Sequence, residues 1–88
     1  MIDMKEAVSR AISEAKALYA EQPLSNIQLE EVEITDDEKF WLITVGFQIA
    51  DATLSPTLAA AMAPKRQYKV FKIDRDNGKF VSMRNRMS

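Results

Sequence analysis

The sequence contains neither cysteine nor histidine, and only two of its 88 residues are glycine. Without cysteine there is no disulfide, no thiolate metal site and no thiol nucleophile. Without histidine the commonest general base and the commonest metal ligand are missing as well. The serines therefore lack an imidazole that could activate them, and no glycine-rich phosphate loop is present. The sequence predicts a protein that is not an enzyme and that holds no metal or cofactor.

Long apolar runs are also missing. The longest stretch, residues 40–45, is far too short to cross a membrane. The N-terminal residues 1–6 lack the basic region and the apolar region of a signal peptide. Hydrophobic residues nevertheless make up 47% of the chain, which is typical of a globular protein and not of a disordered one. We expect residues 1–88 to form one small domain in the cytoplasm, with no membrane partner.

Charges of opposite sign are concentrated in different parts of the chain. Residues 1–64 carry four basic and eleven acidic side chains, a net charge of −7. Residues 65–88 carry eight basic and two acidic side chains, a net charge of +6. Such a division can mark a surface for nucleic acid or for an acidic partner. The interpretation that we favour is that the two ends of one sheet complement each other electrostatically.

An amphipathic helix is predicted near the N-terminus. Asp3 and Glu6 have the spacing of a capping box, so the helix is expected to begin at Met4. Pro23 is expected to prevent its continuation past Glu21. Small residues in the apolar stripe would let the helix lie close against a sheet. The stripe is predicted to contain Met4, Val8, Ala11, Ile12, Ala15, Leu18 and Tyr19.

Two strands are predicted to follow, joined by the acidic turn 36–38. Residues 27–35 alternate between apolar and polar with one slip of phase, and a bulge near Glu30 and Glu31 would bring the apolar residues to one side. Residues 40–49 alternate most regularly. The residues predicted for the core face of this strand are Trp41, Ile43, Val45, Phe47 and Ile49.

A C-terminal hairpin is predicted around residues 75–78, between strands at 68–74 and 79–84. A two-residue Asn-Gly loop would place apolar residues opposite polar ones. A three-residue loop with Gly78 in the left-handed conformation is preferred, because it builds one coherent apolar surface. The pairs expected from this loop are Ile73 with Val81 and Phe71 with Met83.

The acidic residues of this hairpin and of the turn 36–38 do not predict a metal site. A calcium loop of the EF-hand type needs oxygen ligands at its first, third and fifth positions and a glycine at the sixth. If Asp74 and Asp76 were the first two ligands, Gly78 would occupy the fifth position, and no glutamate closes the loop. We therefore interpret both segments as turns.

Together these elements predict an α+β fold, with an N-terminal helix packed on a four-stranded antiparallel β-meander. The Ala-rich helix and the segment 68–81 resemble the PepSY-like domain. That family often closes with a tyrosine-bearing strand, an Ile-Asp pair, a turn ending in glycine and another apolar strand. The resemblance implies a non-enzymatic module that restrains peptidases or binds other proteins. Small bacterial immunity proteins are similar in general shape and match the expected location in the cytoplasm.

The connection between the second and third strands, residues 50–66, is unusually long. Ser55 and Pro56 are typical of the start of a short helix, and Pro64 of its end. This helical insertion would have one apolar face, formed by Leu54, Leu58 and Met62. Two interpretations remain open for that face, since it would either cap an open end of the core or bind a partner.

The second candidate site is the face of the sheet opposite the helix, here called the outer face. An exposed apolar group of this size commonly marks an interface, and aromatic side chains beside arginine are typical hot-spot residues. The apolar residues predicted to point outward are Phe40, Leu42, Tyr68, Val70 and Phe80, with Lys72 and Arg84 as a basic rim. The alternatives are that the 50–66 connection, or a second copy of the chain, covers this face.

The sequence thus predicts a small non-catalytic protein-binding module, of inhibitor or immunity type, that acts through the outer face and the 50–66 connection. A homodimeric structural subunit is one alternative. Nucleic-acid binding is another, although an isoelectric point near 5.4 argues against it. The residues that would serve it are Lys65, Arg66, Lys69, Lys72, Arg84 and Arg86, with Tyr68 and Phe80 for base stacking.

Overall fold

One helix and four strands are present in the computed structural model, which describes residues 1–22, 24–49 and 66–86. They are α1 (Met4–Leu18), β1 (Leu24–Ile34), β2 (Phe40–Ile49), β3 (Arg66–Asp74) and β4 (Phe80–Asn85). The strands form one antiparallel sheet in the order β1-β2-β3-β4, with α1 on one face. The predicted α+β class and the β-meander are confirmed.

Part of the predicted architecture lies outside the described residues. The short helix predicted within residues 50–65 belongs to this part, together with its apolar face of Leu54, Leu58 and Met62. Among the described residues, no helix combines the length and the apolar character needed to span a bilayer.

Helix α1 meets the sheet along its smallest side chains. It begins at Met4 as predicted, with Asp3 as N-cap, whose Oδ1 accepts a hydrogen bond from the Glu6 amide at 2.8 Å. The fully buried positions are Ala7, Ala11 and Ala15. Their four-residue spacing forms a narrow stripe of methyl groups, which allows close approach of the two backbones.

The predicted stripe was wrong at both ends of the helix. Met4 and Leu18 are each 50% exposed, whereas Ala7, which the prediction omitted, is fully buried. Hydrophobic periodicity gives most weight to large side chains, but here the closest contact with the sheet is made by alanines.

Strand β1 contains the predicted bulge and a second one. Its pairing with β2 shifts between Leu29 and Glu31, which confirms an extra residue at the predicted place. As a result Val32 pairs with Ile43 on the helix side of the sheet. The other shift lies near Asn26, whose backbone has a positive φ of 50°. The bulge between Leu29 and Glu31 brings Glu30 to the same face as Glu31 and Glu33.

The core lies between α1 and the two central strands. The register places Trp41 opposite Ile73 and Ile43 opposite Phe71, so the apolar sets of β2 and β3 share one face. The side chains of the sheet that are fully buried are Ile43, Val45, Phe47, Phe71 and Ile73. The predicted core face of β2 is therefore confirmed at its three central positions, while Trp41 and Ile49 are partly buried at its ends.

The hairpin between β3 and β4 differs from its prediction in the loop. The Gly78 amide donates to the Asp74 carbonyl at 2.9 Å, and the Asp74 amide donates to the Lys79 carbonyl at 2.8 Å. Four residues therefore lie in the loop, not three, although Gly78 has the predicted left-handed conformation with φ 76°. The pairing of Phe71 with Met83 is confirmed, because a bulge restores the expected register at that point.

The same bulge overturns the predicted position of Phe80. Ile73 pairs with Phe80 and not with Val81, which is the extra residue and is 48% exposed. Phe80 is consequently packed against the core, with its ring centroid 6.1 Å from that of Phe71. The prediction that Phe80 points outward is wrong, since the longer loop moves it by one position and hence to the opposite face.

Candidate protein interface on the outer face

The centre of the outer face is apolar and belongs to strands β2 and β3. The register pairs Phe40 with Asp74, Leu42 with Lys72 and Thr44 with Val70, all on the side opposite the core. Thr44 is only 3% exposed, so this surface is closely packed at its middle. We call the side chains of Phe40, Leu42, Tyr68 and Val70 the apolar centre. Four of the five apolar residues predicted for this face are thus found there.

Two cations lie over the aromatic rings of the apolar centre. Lys72 Nζ is 4.3 Å from the ring centroid of Phe40, and the Arg86 guanidinium carbon is 4.5 Å from that of Tyr68. Lys72 is therefore not part of a rim, because β3 is a central strand and the side chain covers an aromatic ring. Tyrosine and arginine, the types of Tyr68 and Arg86, are among the residues enriched in interface hot spots.

Charged side chains of opposite sign border the apolar centre on its two sides. Glu31 and Glu33 lie on edge strand β1 and are here called the acidic row. Arg84 lies on edge strand β4, as predicted, and Arg86 is the first residue after that strand. These two residues form the basic row. All four residues line the same shallow depression of the outer face, together with Leu42 and Val70. The sheet therefore presents an acidic edge, an apolar middle and a basic edge.

The acidic row is electrostatically crowded. A hydrogen bond with the Glu31 carboxyl, together with its negative charge, raises the pKa of Glu33 above its ordinary value. Two like charges on one strand edge repel each other unless a cation lies near them. The acidic row is thus suited to receive a positively charged group of a partner.

A glycine on β2 allows an ion pair to lie across this face. Arg66 Nη2 is 3.2 Å from Glu30 Oε1, and a Cβ on Gly46 would lie only 2.6 Å from that oxygen. The bulge in β1 brings Glu30 to the same side. The Arg66 guanidinium carbon is also 5.9 Å from the Tyr68 ring centroid, so Tyr68 lies between two arginines.

The acidic turn between β1 and β2 is organised by its own hydrogen bonds. Asp37 Oδ1 accepts from the Thr35 hydroxyl at 2.6 Å and from the Lys39 amide at 3.0 Å, and these bonds hold the pKa of Asp37 below its ordinary value. In the hairpin, Asp74 Oδ1 accepts from the Asp76 amide at 2.8 Å. Both carboxylates cap turns, which confirms the interpretation of these segments as turns.

The described residues that were considered for nucleic-acid binding do not share one face, and Lys65 lies outside the described residues. Lys69 pairs with Val45 on the helix side, where its ammonium group contacts Asn85 Oδ1. Phe80 also lies on that side, so it cannot form a stacking platform together with Tyr68. The arginines that do reach the outer face share it with the acidic row. Within residues 24–49 and 66–86, the basic side chains therefore do not form a continuous track for a polyanion.

The acidic row is the part of the site that sequence reasoning missed. The signal was present, because Glu31 and Glu33 alternate with Val32 and Ile34. Their assignment to the outer face follows once Val32 is placed on the helix side of the sheet. Comparisons with family models, with curated proteins and with solved structures give no significant match to this chain.

Proposed function

We propose that this domain is a non-catalytic protein-binding module, and that the outer face of its sheet is the binding surface. The observation that carries the proposal is the composition of that face. An apolar centre with two aromatic rings lies between an acidic row and a basic row, on the side of the sheet that α1 does not cover. Protein interfaces typically combine such an apolar middle with a polar border.

The form of the outer face favours a protein over a small molecule. Sites for small molecules are usually concave and enclose most of the ligand. The depression lined by Leu42, Val70 and the two charged rows is shallow and extends over all four strands. A partner of inhibitor-target or immunity-target type would contact the apolar centre and place its own charges opposite the rows.

A photo-reactive diazirine side chain in place of Leu42 tests this proposal. Irradiation of cells that naturally produce the protein is expected to give covalent adducts with a protein chain, because position 42 lies in the middle of the proposed surface. The adducts are separated by mass and the attached chain is sequenced. They should persist at the natural expression level, where random collisions are rare.

The same side chain in place of Leu29 is the matched control. Leu29 is 45% exposed, but it pairs with Val45 and so belongs to the other face of the sheet. We expect few or no adducts from this position. Absence of adducts from position 42, or equal yields from both positions, would contradict the proposed binding surface.

A further inference from the structure

The acidic and basic rows occupy matching places on the two edges of the outer face. Glu31 pairs with Thr44, Thr44 with Val70, and Val70 with Arg84. Glu31 and Arg84 therefore stand at opposite ends of one line that crosses all four strands. With strands about 4.8 Å apart, each is roughly 7 Å from the midline between β2 and β3. The face thus carries opposite charges at equal distances from its centre.

This placement makes the face complementary to itself in one orientation. Two sheets that pack face to face in a symmetric dimer are related by a two-fold axis that runs between them. If the axis crosses the strands, β1 lies over β1 and the two acidic rows repel each other. If the axis runs along the strands, β1 of each copy lies over β4 of the other. Glu31 then faces Arg84 of the second copy, and this contact is made twice.

We propose that the partner of the outer face is a second copy of this chain, bound face to face about a two-fold axis parallel to the strands. This inference rests on the proposed function, which it deepens by naming the partner. The axis passes between β2 and β3, so the apolar centres of the two copies meet each other. Thr44 of one copy lies opposite Val70 of the other, at the level of the Glu31–Arg84 contacts.

The charges of the face favour a second copy over an unrelated protein. Glu31 of each copy faces Arg84 of the other, while Glu33 and Arg86 lie one step along the strands on either side of this contact. The hydrogen bond and the negative charge of Glu31 raise the pKa of Glu33. The arginine of the second copy that approaches Glu31 weakens the repulsion between these two carboxylates. Two twisted sheets commonly pack face to face with their strand directions about 30° apart.

Charge exchange between the rows tests both the partner and the orientation. One variant carries Glu31→Arg with Glu33→Arg, and the other carries Arg84→Glu with Arg86→Glu. In a dimer of either variant alone, like charges face each other. The dissociation constant of that dimer is expected to be at least tenfold higher than the wild-type value. An equimolar mixture restores opposite charges along both edges, so a heterodimer of the two variants is expected.

Light scattering over a concentration series measures these masses, and circular dichroism confirms that each variant is folded. Wild type is expected to reach twice the chain mass of 10.0 kDa. Lys5→Glu, an exposed change on α1, is the control and should leave dimerisation unchanged.

Two results would overturn the inference. A wild-type mass of one chain at every concentration excludes the second copy as partner, while adducts with another protein from position 42 would still support the proposed function. A wild-type dimer that neither charge exchange weakens, or whose charge-exchanged variants fail to combine, excludes the proposed axis.

Discussion

Replacement of Phe71 by alanine is expected to lower the free energy of unfolding by about 3–5 kcal/mol. Phe71 is fully buried, pairs with Ile43 and Met83 on the neighbouring strands, and contacts the ring of Phe80. Its removal would leave a cavity at the centre of the core, beneath the alanine stripe of α1. A domain of 88 residues has a total stability of roughly 4–13 kcal/mol. The variant is therefore expected to be largely unfolded, or close to it.

Phe40→Ala is the matched control for this prediction. Phe40 is the same residue type in the neighbouring strand, but it lies on the outer face beneath Lys72. Its replacement is expected to cost about 1 kcal/mol, mainly through lost strand propensity. Urea unfolding at low protein concentration measures both changes without a contribution from association. Similar losses for the two variants would contradict the assignment of the core to the helix side.

Phe80→Glu is expected to destabilise the fold, whereas Tyr68→Glu is expected to leave the fold intact and weaken association. A glutamate at position 80 would be placed against Phe71 in the core, which should lower the free energy of unfolding by about 3 kcal/mol or more. A glutamate at position 68 would lie on the outer face between Arg66 and Arg86, and should change stability by no more than about 1 kcal/mol. Tyr68→Glu is nevertheless expected to weaken association, because it removes an aromatic ring from the apolar centre.

The measurement is a pair of urea unfolding curves, followed by light scattering of the variant that remains folded. This comparison tests the bulge at Val81 directly, since the alternative register would exchange the positions of residues 80 and 81. Equal destabilisation by the two substitutions would show that Phe80 and Tyr68 lie in similar surroundings, and would refute the register of the hairpin.

The positions of the helix and of β2 could be predicted because their signals are local. Asp3 and Glu6 mark the helix start whatever the helix later contacts, and only one of the two parities from Phe40 to Ile49 is apolar throughout. The choice of Ala7 over Met4 as a core residue could not be predicted in this way. It depends on how closely the helix approaches the sheet, which is a property of the packed structure.

The hairpin shows a different limit of sequence reasoning. Gly78 in the left-handed conformation is compatible with loops of three and of four residues, so the turn residues alone do not set the register. Phe80 and Val81 are both apolar, and either could occupy the core position beside Ile73. The four-residue loop, closed by the hydrogen bond from Gly78 to Asp74, selects Phe80.

The candidate site was predictable where it follows the alternation of one strand. Leu42, Val70 and Arg84 were assigned correctly to the outer face, because each lies on the parity opposite to a clear core residue. The acidic row could have been assigned from the predicted meander and the predicted bulge, since Glu31 and Glu33 alternate with Val32; its neighbours Leu42 and Thr44 are given by the pairing of β1 with β2.

We propose that the sheet uses one face for its core and presents the other to a protein partner. The most direct test is the accessibility of individual methyl groups to a soluble paramagnetic agent, measured by NMR in dilute solution. The methyl groups of Leu42 and Val70 are expected to relax strongly, whereas those of Ile43 and Val45, which are fully buried, are not. Equal protection of all four residues in dilute protein would show that the outer face is already covered by the chain itself, and would contradict the account.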